Sequence, residues 1–130
     1  MRPITILLIE DNEGDILLTI EALEDHNVSH NIKTIKDGAA AIAYFEQADD
    51  KIEIPDLILL DINLPKRTGH EVLRFIKQHK VYCKIPVIML TTSSSERDMQ
   101  LAQQNGADAF MSKPLDIDIF MKTTNQIENF

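Results

Sequence analysis

Nearly continuous apolar runs of four to seven residues alternate along the chain with longer stretches in which apolar residues recur at helical spacing. That alternation predicts βα units around a parallel sheet, because parallel strands need a long crossover and a helix usually supplies it. "ITILLIE" (4–10), "LILLD" (57–61) and "PVIMLT" (86–91) are almost wholly apolar, as expected of central strands covered by helices on both faces. "NIKTIK" (31–36) and "AFMS" (109–112) are shorter or more polar. Lys33 and Lys36 suit a sheet edge, where charge discourages further pairing, so these two are predicted as outer strands. Between the strands, Ile16, Ile20 and Leu23 mark one apolar helix face. Val72, Leu73 and Ile76 mark a second, and Ile117, Phe120, Met121 and Thr124 a third. The pattern amounts to an α/β domain of five strands and five helices.

Local signals place some boundaries. Thr68-x-x-Glu71 and Ser93-x-x-Glu96 both match a capping box, in which each side chain satisfies a backbone N–H that the helix leaves open. Asn105-Gly106 predicts a helix stop, and Gly38 after Asp37 a break before the helix at "AAAIAYF". "QADDKIEIP" (47–55) is charged and lacks helical period, which predicts a surface loop before the third strand.

Composition narrows the function. A chain of 130 residues with 44% hydrophobic positions suits one domain with one continuous core. Acids outnumber Lys and Arg by 21 to 13, a net charge of -8, the wrong sign for a surface that neutralises nucleic-acid phosphates. No nucleic-acid partner is expected. The basic cluster Lys77, His79, Lys80 and Lys84 reads as the solvated end of a helix. The one cysteine, Cys83, has no intrachain partner and no neighbouring His, and reads as a packing or surface residue. There is no charged start followed by an apolar signal segment, and no apolar stretch approaches the ~20 residues a bilayer requires. A cytoplasmic protein without a membrane partner is expected.

In an open α/β sheet the ligand crevice lies beyond the carboxyl ends of the strands. The first strand here ends in Glu10-Asp11, the third in Asp61 followed by Asn63, the fourth in Thr91-Thr92, and the last in "SKP" with Lys113. Parallel strands would bring three carboxylates, two hydroxyls and one ammonium to one edge. Three facing acids raise one another's pKa unless cations neutralise them. A lysine and a hard divalent ion would do so. Mg2+ takes one or two carboxylates, keeps several waters and leaves room for a phosphate oxygen; Glu10, Asp11, Asp61 and a loop carbonyl near Asn63 are the right ligand types. Taken singly, an acid after a strand is more often a helix cap, and a lone lysine is surface charge. The coincidence at successive strand ends is what points to a site. No phosphate-binding glycine loop, dinucleotide fingerprint, G-x-S-x-G elbow or Cys/His pair is present. The histidines His26, His30, His70 and His79 fall in predicted helix ends and loops without metal-ligand spacing.

As a set, "LLIEDN", "LILLDINLPKRTGHEVL", "PVIMLTTSS" and "GADAFMSKP" resemble the receiver domain of two-component response regulators over essentially the whole chain. Thr91 lies 30 residues after Asp61, and Lys113 lies 22 after Thr91, as the family pattern requires. The acid pair sits slightly further upstream of Asp61 than in compact members, a gap the 47–55 loop would fill. The resemblance implies a flavodoxin-like, doubly wound (βα)5 fold of three layers with strand order 2-1-3-4-5. It implies that Asp61 accepts a phosphoryl group from a phosphohistidine on a histidine kinase. Mg2+ would be held by Glu10, Asp11, Asp61 and the backbone carbonyl of Asn63. Lys113, Thr91 and Thr92 would bind the phosphoryl group. Thr91 and Phe110 would form the switch, and the Lys113-Pro114 bond would be cis. Output would pass through the face of the fourth helix, fifth strand and fifth helix to a downstream protein, or to a second copy in a homodimer.

Three positions depart from common members of that family. Phe110 stands where many carry Tyr, Thr92 is bulkier than the usual Ala or Gly, and Glu10 replaces the commoner Asp. The chain ends at Phe130 after the fifth helix, which implies a single domain over 1–130 with no output domain. The loop before the third strand and the "VIMLTTSSSERD" stretch are most similar to single-domain regulators of phytochrome-type kinases. The family resemblance implies a signalling protein and not an enzyme. An aspartate-nucleophile phosphatase of the haloacid dehalogenase type would need a second acid where Asn63 stands. A receiver-like scaffold that binds without phosphorylation would be expected to lack an acid, the threonine or the lysine, and all are present.

Overall fold

A computed structural model describes residues 4–25, 30–47, 51–92 and 95–127, with the backbone alone for His30 and 124–127. Strands β1 (Ile4–Ile9), β2 (His30–Ile35), β3 (Leu57–Asp61), β4 (Val87–Thr91) and β5 (Ala109–Ser112) alternate with helices. The helices are α1 (Glu13–Asp25), α2 (Gly38–Glu46), α3 (Gly69–Gln78), α4 (Glu96–Gln104) and α5 (Ile117–Ile127). The strands form one parallel sheet in the order β2-β1-β3-β4-β5, as the resemblance implies.

Successive side chains of a strand point to opposite faces, and two cores follow. Leu7, Ile9, Ile58, Leu60, Val87 and Met89 pack under α2, α3 and α4 with Phe45, Leu73 and Ile76. Ile6, Leu8, Leu57, Leu59, Ile88 and Leu90 pack under α1 and α5 with Leu23 and Phe120. Every residue of β3 and β4 is buried, and each large apolar side chain so buried contributes about 1.5–3 kcal/mol. In register, Leu8 stands opposite Leu59, Leu59 opposite Ile88 and Ile88 opposite Ala109. All five strands therefore deliver their carboxyl ends to one edge. β1 stops at Ile9, one residue short of the expected run, although the Glu10 N–H still donates to the Ile35 carbonyl at 3.0 Å.

Thr68 and Glu71 form the expected capping box, and Asn105 with Gly106 (φ +92°) closes α4. Lys113-Pro114 is cis. Several expectations are corrected. Ser93 lies outside the described residues, and the α4 cap is Ser95, whose side chain accepts from the Asp98 N–H at 3.3 Å. A box from Ser93 would put Glu96 at the third helical position, whereas it is the first; three successive serines offer the same signal in shifted registers. Gly38 opens α2 instead of breaking the chain, because Asp37 caps the helix by accepting from Ala40. His30 belongs to β2, not to a loop or helix end. Met121 is 40% exposed while Ile117 and Phe120 are buried, so the apolar face of α5 is narrower than expected. The side chain of Thr124 lies outside the description. Lys77 is not solvated: its ammonium donates to the Cys83 and Ile85 carbonyls and pairs with Asp108 at 3.0 Å. His79 is likewise half-buried, stacked on Tyr82, which leaves Lys80 and Lys84 as the exposed members of that cluster.

Candidate functional site

Asp61 is the last residue of β3 and only 6% exposed. Its position is fixed from behind by glycine: a Cβ on Gly69 would lie 2.2 Å from the Asp61 carbonyl oxygen. Only a residue without a side chain lets α3 begin that close, and the Gly69 N–H donates to the Ile62 carbonyl at 2.8 Å. Between them the loop makes a γ-turn, with the Arg67 N–H on the Pro65 carbonyl and Lys66 at φ +72°. The same Pro65 carbonyl accepts from the Gly38 N–H at 3.1 Å, tying the loop to the start of α2. Ile62 and Leu64 point into the core, whereas Asn63 is exposed.

One residue past the last β1–β3 pair, Ile9 with Leu60, Glu10 comes level with Asp61. Glu10 is 2% exposed and Asp11 is open to solvent. Asn12 then starts α1: its side-chain oxygen accepts from the Asp15 N–H at 2.9 Å, and its own N–H donates to Glu10 Oε2 at 3.3 Å. Glu10, Asp11 and Asp61 each present a carboxylate oxygen, all within 4.8 Å of one another. Lys113 follows β5, its N–H bonded to the Thr91 carbonyl at 2.8 Å. Its ammonium pairs with Glu10, with Asp15 at 2.9 Å and with Asp61 at 3.4 Å.

Burial pushes the Glu10 carboxyl up to about 6, opposed by its bond from Lys113 and reinforced by the charge of Asp61. Burial alone would pull Lys113 down, but its bonds to Glu10 and Asp15 and the Asp61 charge hold it above the ordinary lysine value. Four acids around one lysine leave negative charge uncompensated. Three hard oxygen donors in mutual reach, one partly unwilling to ionise, fit a divalent cation that takes carboxylates and water.

Of the residues singled out in the sequence, Glu10, Asp11, Asp61 and Lys113 come together. Thr91 is fully buried at the end of β4, the strand next to β3, and Thr92 is exposed just beyond. Phe110 is half-buried in β5 and packs against the core under α2, α3 and α4. Asp15 was not anticipated. It lies in the first turn of α1, and no local pattern pairs it with Lys113.

A buried aspartate at the carboxyl edge of a doubly wound parallel sheet, flanked by two acids and a lysine, defines a phosphoryl-accepting signalling module more closely than a hydrolase. A sequence profile of the response regulator receiver domain matches residues 6–125, and the chain belongs to that family, whose members work with histidine kinases. It is 37% identical to the response regulator Rcp1 of Synechocystis sp., with 98% of this chain and 88% of that protein covered. The Mn2+-bound form of Rcp1 superposes with a TM-score of 0.79, covering 98% of this chain and 94% of that one. The phosphorylated cyanobacterial phytochrome response regulator RcpA matches at 37% identity and TM-score 0.79, covering 97% and 91%. The bacteriophytochrome response regulator AtBRR matches at 34% identity and TM-score 0.85, covering 100% and 96%. Among the described residues no helix is long and apolar enough to cross a membrane.

Proposed function

We propose that this chain is a response regulator whose Asp61 accepts a phosphoryl group from a phosphohistidine on a histidine kinase. The observation that carries the reading is the convergence of Glu10, Asp11 and Asp61 within 4.8 Å beside the Lys113 ammonium. An Asp61 carboxylate oxygen forms the bond to phosphorus while the phosphorus–nitrogen bond breaks, its electron pair staying on the imidazole. β3 holds the nucleophile still, and Lys113 faces the charge that gathers on the equatorial oxygens. Thr91 ends β4 and Thr92 follows it at the same edge, and Thr91 with Phe110 forms the switch read through α4, β5 and α5. Glu10, Asp11, Asp61 and the Asn63 carbonyl would hold Mg2+, which when bound would neutralise charge on the phosphoryl oxygens.

Two relatives at 34–37% identity whose names carry a phytochrome regulator support a phytochrome-type kinase as the partner. The reading extends to a cytoplasmic protein in which 1–130 acts as one receiver domain. It contacts a downstream protein or a second copy through the α4-β5-α5 face. Acetyl phosphate with Mg2+ is expected to add one phosphoryl group, seen by intact mass, and EDTA to stop the reaction. Full-rate labelling without a divalent ion would contradict the metal assignment. A phosphotransfer screen against purified kinases identifies the donor.

A further inference from the structure

An ammonium carries three N–H donors, and three carboxylates surround that of Lys113. It donates to Glu10 and, at 2.9 Å, to Asp15, and it faces Asp61 at 3.4 Å. Asp15 is not one of the residues that the family resemblance places at the site. It lies in the first turn of α1, where its N–H is held by Asn12 and its carbonyl accepts from the Thr19 hydroxyl at 2.9 Å. Its backbone is therefore rigid, and its carboxylate reaches across to a lysine that is only 10% exposed.

A lysine stem has four rotatable bonds and loses rotamer entropy when it is fixed. A single anchor leaves the ammonium free to swing. Two anchors on different elements, Glu10 after β1 and Asp15 on α1, direct the remaining N–H toward Asp61. We infer that Asp15 is a positioning residue for phosphoryl transfer, holding the Lys113 ammonium against the oxygen that receives the phosphoryl group. The inference rests on Asp61 being the phosphoacceptor. Asp15 acts through Lys113 and does not itself touch the group transferred. With acetyl phosphate as donor, an Asp61 oxygen bonds to phosphorus, the phosphorus–oxygen bond to the acetyl group breaks, and acetate leaves with the electron pair. The Asp61 oxygen supplies the electron pair of the new bond and acetate carries away that of the old one. An ammonium already in place meets the developing charge without reorganisation.

Single-turnover labelling by acetyl phosphate with Mg2+, followed by intact mass, tests this on the full chain. Asp15→Ala and the isosteric Asp15→Asn are expected to slow labelling about tenfold at saturating donor, with the half-saturating donor concentration little changed. Asp15→Glu is expected to recover part of the rate. In a Lys113→Ala background, Asp15→Ala is expected to add no further loss, because both act through one group. The Lys113 ammonium resonance gives a second readout and is expected to shift or broaden in Asp15→Asn. Unchanged or faster labelling in both Asp15 variants, an equal slowing in the Lys113→Ala background, or an unmoved resonance would each overturn the proposal. Labelling of the unaltered chain that disappears in Asp61→Asn, with Asp15 variants unaffected, removes the inference alone. An unlabelled native chain removes the reading beneath it as well.

Discussion

Glu10 shows how one carboxyl can register the state of the whole site. Buried beside Asp61, it is pushed up to about 6 from an unfolded value of 4.5. The folded chain therefore binds its proton more tightly than the unfolded chain does, and stability falls as pH rises between those two values. The contribution is fully present below about pH 4.5 and lost as pH passes about 6. A divalent cation held by this cluster would compete with that proton and offset the cost of ionisation. Adding Mg2+ is expected to raise Tm more at about pH 7.5 than at about pH 5, by differential scanning calorimetry, with Glu10→Gln reducing the difference. An equal gain at both pH values would contradict the coupling.

At the scale of elements, the site depends on how closely α3 starts behind β3. Gly69 leaves no room for a Cβ against the Asp61 carbonyl, and Gly38 leaves none against that of Arg67, where a Cβ would sit at 1.9 Å. Gly69→Ala is expected to cost about 2–3 kcal/mol by urea denaturation, since backbone and not a flexible side chain must yield. The same variant is expected to accept phosphate more slowly, because the displaced backbone carries Asp61. A stability change under about 0.5 kcal/mol, the usual range for a surface position, would show that the loop relaxes freely. Gly38 was visible in the sequence as a break before a helix, but the contact that requires Gly69 joins two elements and no local pattern announces it. The same limit explains Lys77, a charged residue whose three oxygen partners lie on the 3-10 turn at Tyr82–Lys84, at Ile85 and at Asp108.

At the scale of the molecule, the fold was legible because its core strands are buried on both faces and read as unbroken apolar runs. Strand order needed the family resemblance, since periodicity distinguishes central from outer strands without ordering them. Glu10, Asp11, Asp61 and Lys113 were legible because parallel strands place their carboxyl ends on one edge. Asp15 was not, because a helical acid is ordinarily a cap or a solvated charge, and only the path of Lys113 across the sheet gives it a partner. The two residues proposed as the switch lie in different environments, Thr91 buried at the end of β4 and Phe110 half-buried against the α2–α4 core.

Asp61 is the proposed phosphoacceptor. Intact mass spectrometry of the native and Asp61→Asn chains after acetyl phosphate and Mg2+ is expected to show one added phosphoryl group on the native chain and none on the variant. Equal labelling of both chains would contradict it.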